Sequence, residues 1–448
     1  MAGKNELESK EMPFVTEQIK KGSRVKRWFL KAVRMVLLAI IFGVTAGVSF
    51  ALVLPYVQKE DKDNETTRET ITIPRDTQPT TQEPTTTEAP STEPLTPTTA
   101  ESTTPQETES TEPIENVVEN VLAERKLTLD DYSALYAAMY SVVEKVNKSI
   151  VTVTVAESAL DVFNQTYELT DEATGLIYNK TDSEMLILAD YEEIDSADTI
   201  WVTFHNGKEC EAVLRKADSV SGMAVLVVDT ALLGDDLTQY PVATLGNSYT
   251  VQQGDVAMTV GAPFGYNYSM SYGVVTSVKN SVQAVDINYH LINTNILEAS
   301  TGSGFLINTK GEITGIITKD YKSESTGGIT TALAISDLKG VLEKLSNEQD
   351  ILYLGIKGQD VTPEVAKATG LPKGVYISET VAGSPVYQSG VQSGDVLVEM
   401  DGQEIASMKG FRNALESHQS GDVVHLKVLR KGREEYIEIE FDVIVDMQ

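Results

Sequence analysis

From Ser149 onward the chain is a succession of short runs rich in Val, Ile and Thr, broken by glycine-bearing turns. Such a pattern restricts the fold to a sandwich or to barrels. Ser149–Val155, Met185–Leu188, Thr199–Phe204, Glu211–Leu214, Met223–Val228, Ala257–Val260 and Tyr272–Val278 read as strands. Asn206-Gly207 falls between two of them and marks a tight hairpin, because both residues tolerate positive φ. A helix precedes the strands over Leu127–Val146, where Leu135, Met139, Val142, Val143 and Val146 keep the helical rhythm. Tyr132, Tyr136 and Tyr140 recur on it at one-turn spacing, suited either to packing on the domain or to a subunit contact. A short amphipathic helix is expected over Ser336–Leu345.

A smaller unit begins near Tyr353. Its strands read as Tyr353–Ile356, Gly374–Ile377, Val396–Met400 and His425–Leu429, with a helix over Ser407–Ser417. Gly383-Ser-Pro-Val386 and Gly390-Val-Gln-Ser-Gly-Asp395 frame a further short helix that ends in a tight turn.

The chain has a net charge of −30, which excludes a nucleic-acid partner, since phosphate binding needs a basic face to replace counterions. The N-terminus is the exception. Lys20, Lys21, Arg24, Lys26, Arg27, Lys31 and Arg34 form a basic run, and Met35–Val57 after it carries no charge. At about 1.5 Å rise per residue, that run is long enough to cross a hydrocarbon core of about 30 Å. The mixed-to-acidic flank at Lys59–Asp63 then places residues 1–34 in the cytoplasm and the globular part outside a bacterial-type cell membrane, by the positive-inside rule. The uncharged run is too long for the core of a cleaved signal peptide. Residues 58–120 are dominated by Thr, Glu, Pro and Ser and are expected to form a disordered tether. The single cysteine, Cys210, excludes an internal disulfide and lies in a strand pattern that suits a packed thiol. No metal-ligand spacing and no cofactor motif is visible, so neither is expected.

The segment Thr301-Gly-Ser-Gly-Phe-Leu-Ile-Asn-Thr-Lys-Gly-Glu-Ile-Thr-Gly-Ile-Ile317 carries most of the functional information. It has an apolar strand, a Lys310-Gly311 turn and a second apolar strand. Gly261-Ala-Pro-Phe-Gly265, followed by Gly273-Val-Val-Thr-Ser277, is a second landmark. Tyr353-Leu-Gly-Ile356, Gly394-Asp-Val-Leu397 and Asp401-Gly-Gln-Glu-Ile405 are further ones. Together these resemble the membrane-anchored Deg/HtrA family of chymotrypsin-like serine proteases with a C-terminal PDZ domain. The resemblance implies a mainly β fold: a double β-barrel over 121–348 and a PDZ domain over 349–448, after a transmembrane helix at 35–57. It also implies a homotrimer, and a PDZ loop at Tyr353, Leu354, Gly355 and Ile356 that receives the C-terminal carboxylate of a peptide.

The same resemblance puts the catalytic triad in question. The family's histidine motif falls on Ile187-Leu-Ala-Asp-Tyr-Glu-Glu-Ile194, where Glu192 takes the histidine position. Its aspartate motif falls on Asp218-Ser-Val-Ser-Gly-Met-Ala-Val-Leu226, where Gly222 takes the aspartate position. Counting back from Leu306 places Gly302 at the nucleophile. None of the chain's four histidines lies where the barrel cleft would need one. The expected function is therefore a tethered, extracytoplasmic pseudoprotease that binds C-terminal or unfolded peptide segments without cutting them. Two alternatives stay open: an active endopeptidase using a displaced Ser303, and a structural envelope protein whose PDZ fold holds a fixed partner. Backbone N–H groups around Gly302 are expected to keep an oxyanion-hole-like loop, since they do not depend on side chains.

Overall fold

The computed structural model describes residues 69–78, 128–160, 166–195, 197–318, 321 and 328–447, with Thr70–Gln448 forming one unit. The basic tail 1–34, the span 35–57 and most of the 58–120 segment lie outside the described residues. No helix among the described residues is long and apolar enough to cross a membrane.

Antiparallel pairing closes the strands into two barrels of six. The first comprises β1 (Ile150–Leu160), β2 (Thr166–Lys180), β3 (Glu184–Asp190), β4 (Thr199–Thr203), β5 (Glu209–Asp218) and β6 (Met223–Asp229), in the order β1-β2-β3-β6-β5-β4. The second comprises β7 (Val256–Ala262), β8 (Ser269–Ala284), β9 (Ile287–Leu297), β10 (Ser303–Ile307), β11 (Ile313–Ile317) and β12 (Ile329–Ala334), in the order β10-β11-β12-β9-β8-β7. Closure removes the exposed sheet edges that invite aggregation. Patterning follows position. In β4, Ile200 and Val202 are buried while Trp201 faces out, whereas Met185 to Ala189 of β3 are all buried. Strand β3 is therefore covered on both faces, and each buried aliphatic side chain there contributes about 1.5–3 kcal/mol of transfer free energy. The Asn206-Gly207 hairpin is present: Gly207 has φ 80°, and Asn206 Oδ1 accepts the Lys208 N–H at 3.0 Å.

Helix α1 (Leu129–Asn147) precedes the barrels, with Thr128 and Asp131 forming a reciprocal capping box. Helix α2 (Ile335–Ser346) follows β12 and buries Leu338, Val341, Leu342 and Leu345. Part of the segment read as a uniformly disordered tether lies on α2. Ile71 N–H donates to Asn347 Oδ1 at 2.9 Å, Ile73 N–H to Glu343 Oε2 at 3.0 Å, and Asp76 pairs with Lys339 at 2.7 Å. Ile71 and Ile73 are buried. The physical reason is local: Ile71-Thr-Ile73 is an apolar alternation inside a polar stretch, and its two aliphatic side chains are buried while its polar groups bond to α2 and its C-cap.

The C-terminal unit is a PDZ domain. It begins with β13 (Leu352–Tyr353), β14 (Ile356–Asp360), α3 (Pro363–Thr369), β15 (Val375–Thr380) and α4 (Pro385–Ser389). It continues with β16 (Val396–Met400), β17 (Gln403–Glu404), α5 (Met408–Leu415), β18 (Val423–Lys431), β19 (Tyr436–Ile444) and β20 (Asp446–Met447). The main sheet runs β14-β15-β16-β18-β19, with β17 on β16, so β14 is an edge strand. The glycine-framed helix is α4: Ser384 caps it by accepting the Tyr387 N–H, and Gly390 ends it in the left-handed region.

Candidate functional site

The region that the resemblance makes catalytic lies between the barrels, where β10 starts beside β7. Gly261 (φ 106°) and Gly304 (φ 125°) let these two backbones approach: a Cβ on Gly304 would lie 2.2 Å from Val260 O. Pro263, at the start of the following turn, accepts the Ala299 N–H on its carbonyl at 2.9 Å. The same carbonyl fills the space beside Gly302. A Cβ on Gly302 would lie 2.5 Å from Pro263 O and 2.9 Å from Ala299 O. The Gly302 N–H itself donates to Ala299 O at 2.9 Å. The expectation of an oxyanion-hole-like loop is thus corrected at Gly302. Its N–H closes a local turn and does not face the cleft, because a chain carbonyl three residues back lies within reach.

The other two triad positions lie on neighbouring turns, after β3 and before β6. Glu192 is exposed on the loop after β3, its N–H donating to Asp190 Oδ1 at 3.1 Å. Gly222 has φ 70°, and its carbonyl accepts the Tyr191 N–H at 2.9 Å. A side chain at 222 would strain the left-handed backbone. Asp218, buried at the end of β5, accepts the Ser221 N–H at 2.9 Å and so holds the turn that carries Gly222. Of the residues singled out from the sequence, Gly222 and Ser303 line a common cavity, with Asp190, Ser221 and Gly304. Glu192 and Gly302 do not line it. The cavity is about 30 Å³, room for about two waters. Ser303 is half-buried there, and no described side chain hydrogen-bonds its hydroxyl.

Three of the four histidines pair with carboxylates elsewhere. His290 Nδ1 and its N–H both contact Asp337 Oδ2, at 2.8 and 2.7 Å, and Tyr249 donates to Asp337 Oδ1 at 2.7 Å. The carboxylate raises the His290 pKa above its ordinary value. His418 contacts Asp401 at 3.1 Å and His425 contacts Asp442 at 2.6 Å, both within the PDZ unit. His205 is exposed beside the Asn206-Gly207 turn. No group of His, Cys, Asp and Glu that would hold a metal ion occurs among the described residues.

The PDZ loop is organised differently. Between β13 and β14 the N–H groups of Leu354, Gly355 and Ile356 point to one place, with Gly355 at φ 92° to turn them inward. Tyr353 lies outside this donor set and pairs with Asp446 in the β13–β20 ribbon. The place is filled by the carboxylate of Asp286, at the tip of the β8–β9 hairpin of the second barrel. Leu354 N–H donates to Oδ2 at 2.7 Å, Ile356 N–H to Oδ1 at 2.7 Å, and Gly355 N–H reaches both oxygens at 2.9 and 3.0 Å. Asp286 is only 1% exposed. Burial raises its pKa, while the three amides and Arg412 pull in the opposite direction without cancelling it. Sequence reasoning missed Asp286. A turn was readable at Val285-Asp286, since Asp favours turns, but nothing local indicates a target 68 residues away.

Comparison with known proteins places these sites. Residues 173–316 match the trypsin-like peptidase domain and residues 352–441 the PDZ domain. The chain is 28% identical over 327 residues to the serine protease Do-like HtrA of Bacillus subtilis, covering 67% of this chain and 72% of that protein. It is 30% identical over 252 residues to a probable periplasmic serine endoprotease, DegP-like, of Halomonas elongata, covering 55% of this chain. There it spans about half of the relative's length, 52%. Among solved structures it resembles the HtrA-type protease AlgW with decapeptide, with a TM-score of 0.51 at 21% identity, covering 69% of this chain and 98% of that one, a likeness of fold. The chain therefore joins a trypsin-like peptidase domain to a PDZ domain and has its homologues among the HtrA and DegP-like serine proteases.

Proposed function

We propose that this protein is a membrane-tethered, extracytoplasmic, HtrA-like pseudoprotease that holds C-terminal or unfolded peptide segments through its PDZ domain, in protein quality control or sensing at the cell envelope. The observation that carries the reading is the state of Gly302. Its residue supplies no nucleophile, its N–H is bonded to Ala299, and the space a side chain needs is taken by Pro263 O. A serine hydroxyl needs a base and a third group to orient that base. Glu192 and Gly222 supply neither, and a triad lost in full leaves catalysis about 10⁶ lower. The PDZ loop, by contrast, keeps three convergent N–H donors on a carboxylate, the chemistry needed to capture a chain terminus, beside an edge strand suited to strand addition.

Anchoring by residues 35–57 rests on the charge asymmetry around that run. Assembly as a homotrimer is carried over from the resemblance, and is supported by Leu129, Tyr132, Leu135 and Tyr140 standing exposed on α1. A second reading has one observation in its favour: Ser303 lines the inter-barrel cavity, and the relatives are named as proteases. Turnover of fluorescent casein separates the two. The pseudoprotease reading expects the same background rate for the wild type and Ser303→Ala. A wild-type rate well above buffer that vanishes in Ser303→Ala would establish an active enzyme.

A further inference from the structure

The bonding of Asp286 copies that of a bound peptide in two respects. Its carboxylate takes the three N–H groups of Leu354, Gly355 and Ile356. Its own N–H then donates to Ile356 O at 2.7 Å. That second bond goes to the first residue of β14, the free edge of the PDZ sheet. An added peptide strand would begin with a bond of the same kind. Asp286 reaches this position with φ 59°, which aspartate adopts more readily than most residues. A neighbouring contact holds the hairpin there. Gln283 Oε1 of β8 accepts the Ser378 hydroxyl of β15 at 2.6 Å. No second carboxylate can reach the three donors while Asp286 occupies them.

We infer that Asp286 is a built-in competitor for the PDZ carboxylate site, so that the full chain keeps this site closed until an external C-terminus displaces the β8–β9 hairpin. The inference rests on the reading that the PDZ domain captures chain termini. A tethered competitor acts at high effective concentration. An external peptide's apparent affinity is then reduced by the fraction of chains in which the hairpin has withdrawn. Binding is coupled to release of the second barrel, which gives the protein a way to report that a terminus has been captured.

The test uses the full chain and a short fluorescent peptide ending in a free valine carboxylate, with its C-terminal amide as control, followed by anisotropy. Asp286→Asn keeps the turn residue but directs amide hydrogens at the loop's donors. The free acid should bind Asp286→Asn at least tenfold more tightly than wild type, and the amide should bind both weakly. Equal affinity of the free acid for the two proteins overturns the inference and leaves PDZ capture standing. No free-acid binding to either protein, or equal binding of acid and amide, overturns PDZ capture and the inference with it. A measurement on the unmodified chain guards against a variant that misfolds. Saturating free acid should speed hydrogen exchange at residues 284–287 of the wild type, and the amide at the same concentration should not. Unchanged exchange there with the free acid bound would also overturn the inference.

Discussion

At the inter-barrel cleft, the N–H of Gly302 donates to Ala299 O in its own turn; in the PDZ loop, the N–H groups of Leu354, Gly355 and Ile356 donate to a carboxylate from another domain. Both sites are glycine-bearing turns at the start of a strand, and both belong to positions that the family resemblance assigns to anion binding. They differ in what lies within reach. At the cleft, Pro263 O and Ala299 O crowd the glycine, so the backbone satisfies itself locally. In the loop, no chain carbonyl takes the donors, and the carboxylate of Asp286 does. Whether a backbone nest binds an anion is thus decided as much by neighbouring carbonyls as by the residues that form it.

The largest effect expected from a single change is at the loop. A Cβ on Gly355 would lie 2.2 Å from Ser384 Cβ, on a backbone at φ 92°. Gly355→Ala combines overpacking with left-handed strain and should cost about 2–5 kcal/mol in denaturant melts, with loss of free-acid peptide binding. A variant that melts and binds as wild type would show that the loop is plastic and would break the contrast with the cleft. At the cleft, Gly302→Ser should cost less, about 1–3 kcal/mol, because the clash is with carbonyls while the backbone needs no left-handed residue. It should add no hydrolysis of casein. An unchanged melting midpoint would mean the turn yields freely, and that the cleft lacks only side chains.

The next effect concerns the frame that carries both sites. Ile73 is buried against α2, so Ile73→Ala should destabilise the chain by about 2 kcal/mol, at the low end for a segment near the surface. No change would mean that residues 70–76 do not contribute to the domain in solution. The smallest effect is on pH. His290 lies on β9, one strand of the hairpin that carries Asp286, and pairs with Asp337. Its pKa is raised in the folded state, so its stabilisation is complete below the unfolded value near 6.5 and is lost as pH rises through the folded value. The contribution should stay below about 1 kcal/mol, because the ring is 45% exposed and water screens the pair. His290→Gln should melt below wild type under mildly acidic conditions and converge with it at high pH. A gap that instead widens with rising pH would contradict this assignment.

Much of the fold was legible because it is written in local patterns. Alternation in Ile200-Trp-Val202, the Asn206-Gly207 turn and the Ser384-Pro385 helix start each act within a few residues. Strand β2 escaped notice because Glu168, Asp171, Glu172 and Asn179 interrupt its apolar pattern, and β8 was read short because its second half carries Lys279, Asn280, Ser281 and Gln283. At the cleft, counting along the motif put Gly302 at the nucleophile position, but the turn of Gly302 onto Ala299 was not legible, since it depends on where Pro263 O is held. The donors of the PDZ loop were legible as Tyr353-Leu-Gly-Ile356. Their occupant was not, because Asp286 comes from a different domain and its meaning exists only once the two are packed.

The proposal that the cleft is inert while the loop captures termini is tested most directly by labelling the intact full-length protein with a fluorophosphonate probe, beside Ser303→Ala. A hydroxyl without a base does not attack the probe, so the account predicts no labelling of either protein. Labelling of the wild type that disappears in Ser303→Ala would contradict it, and would place an active nucleophile one residue after Gly302.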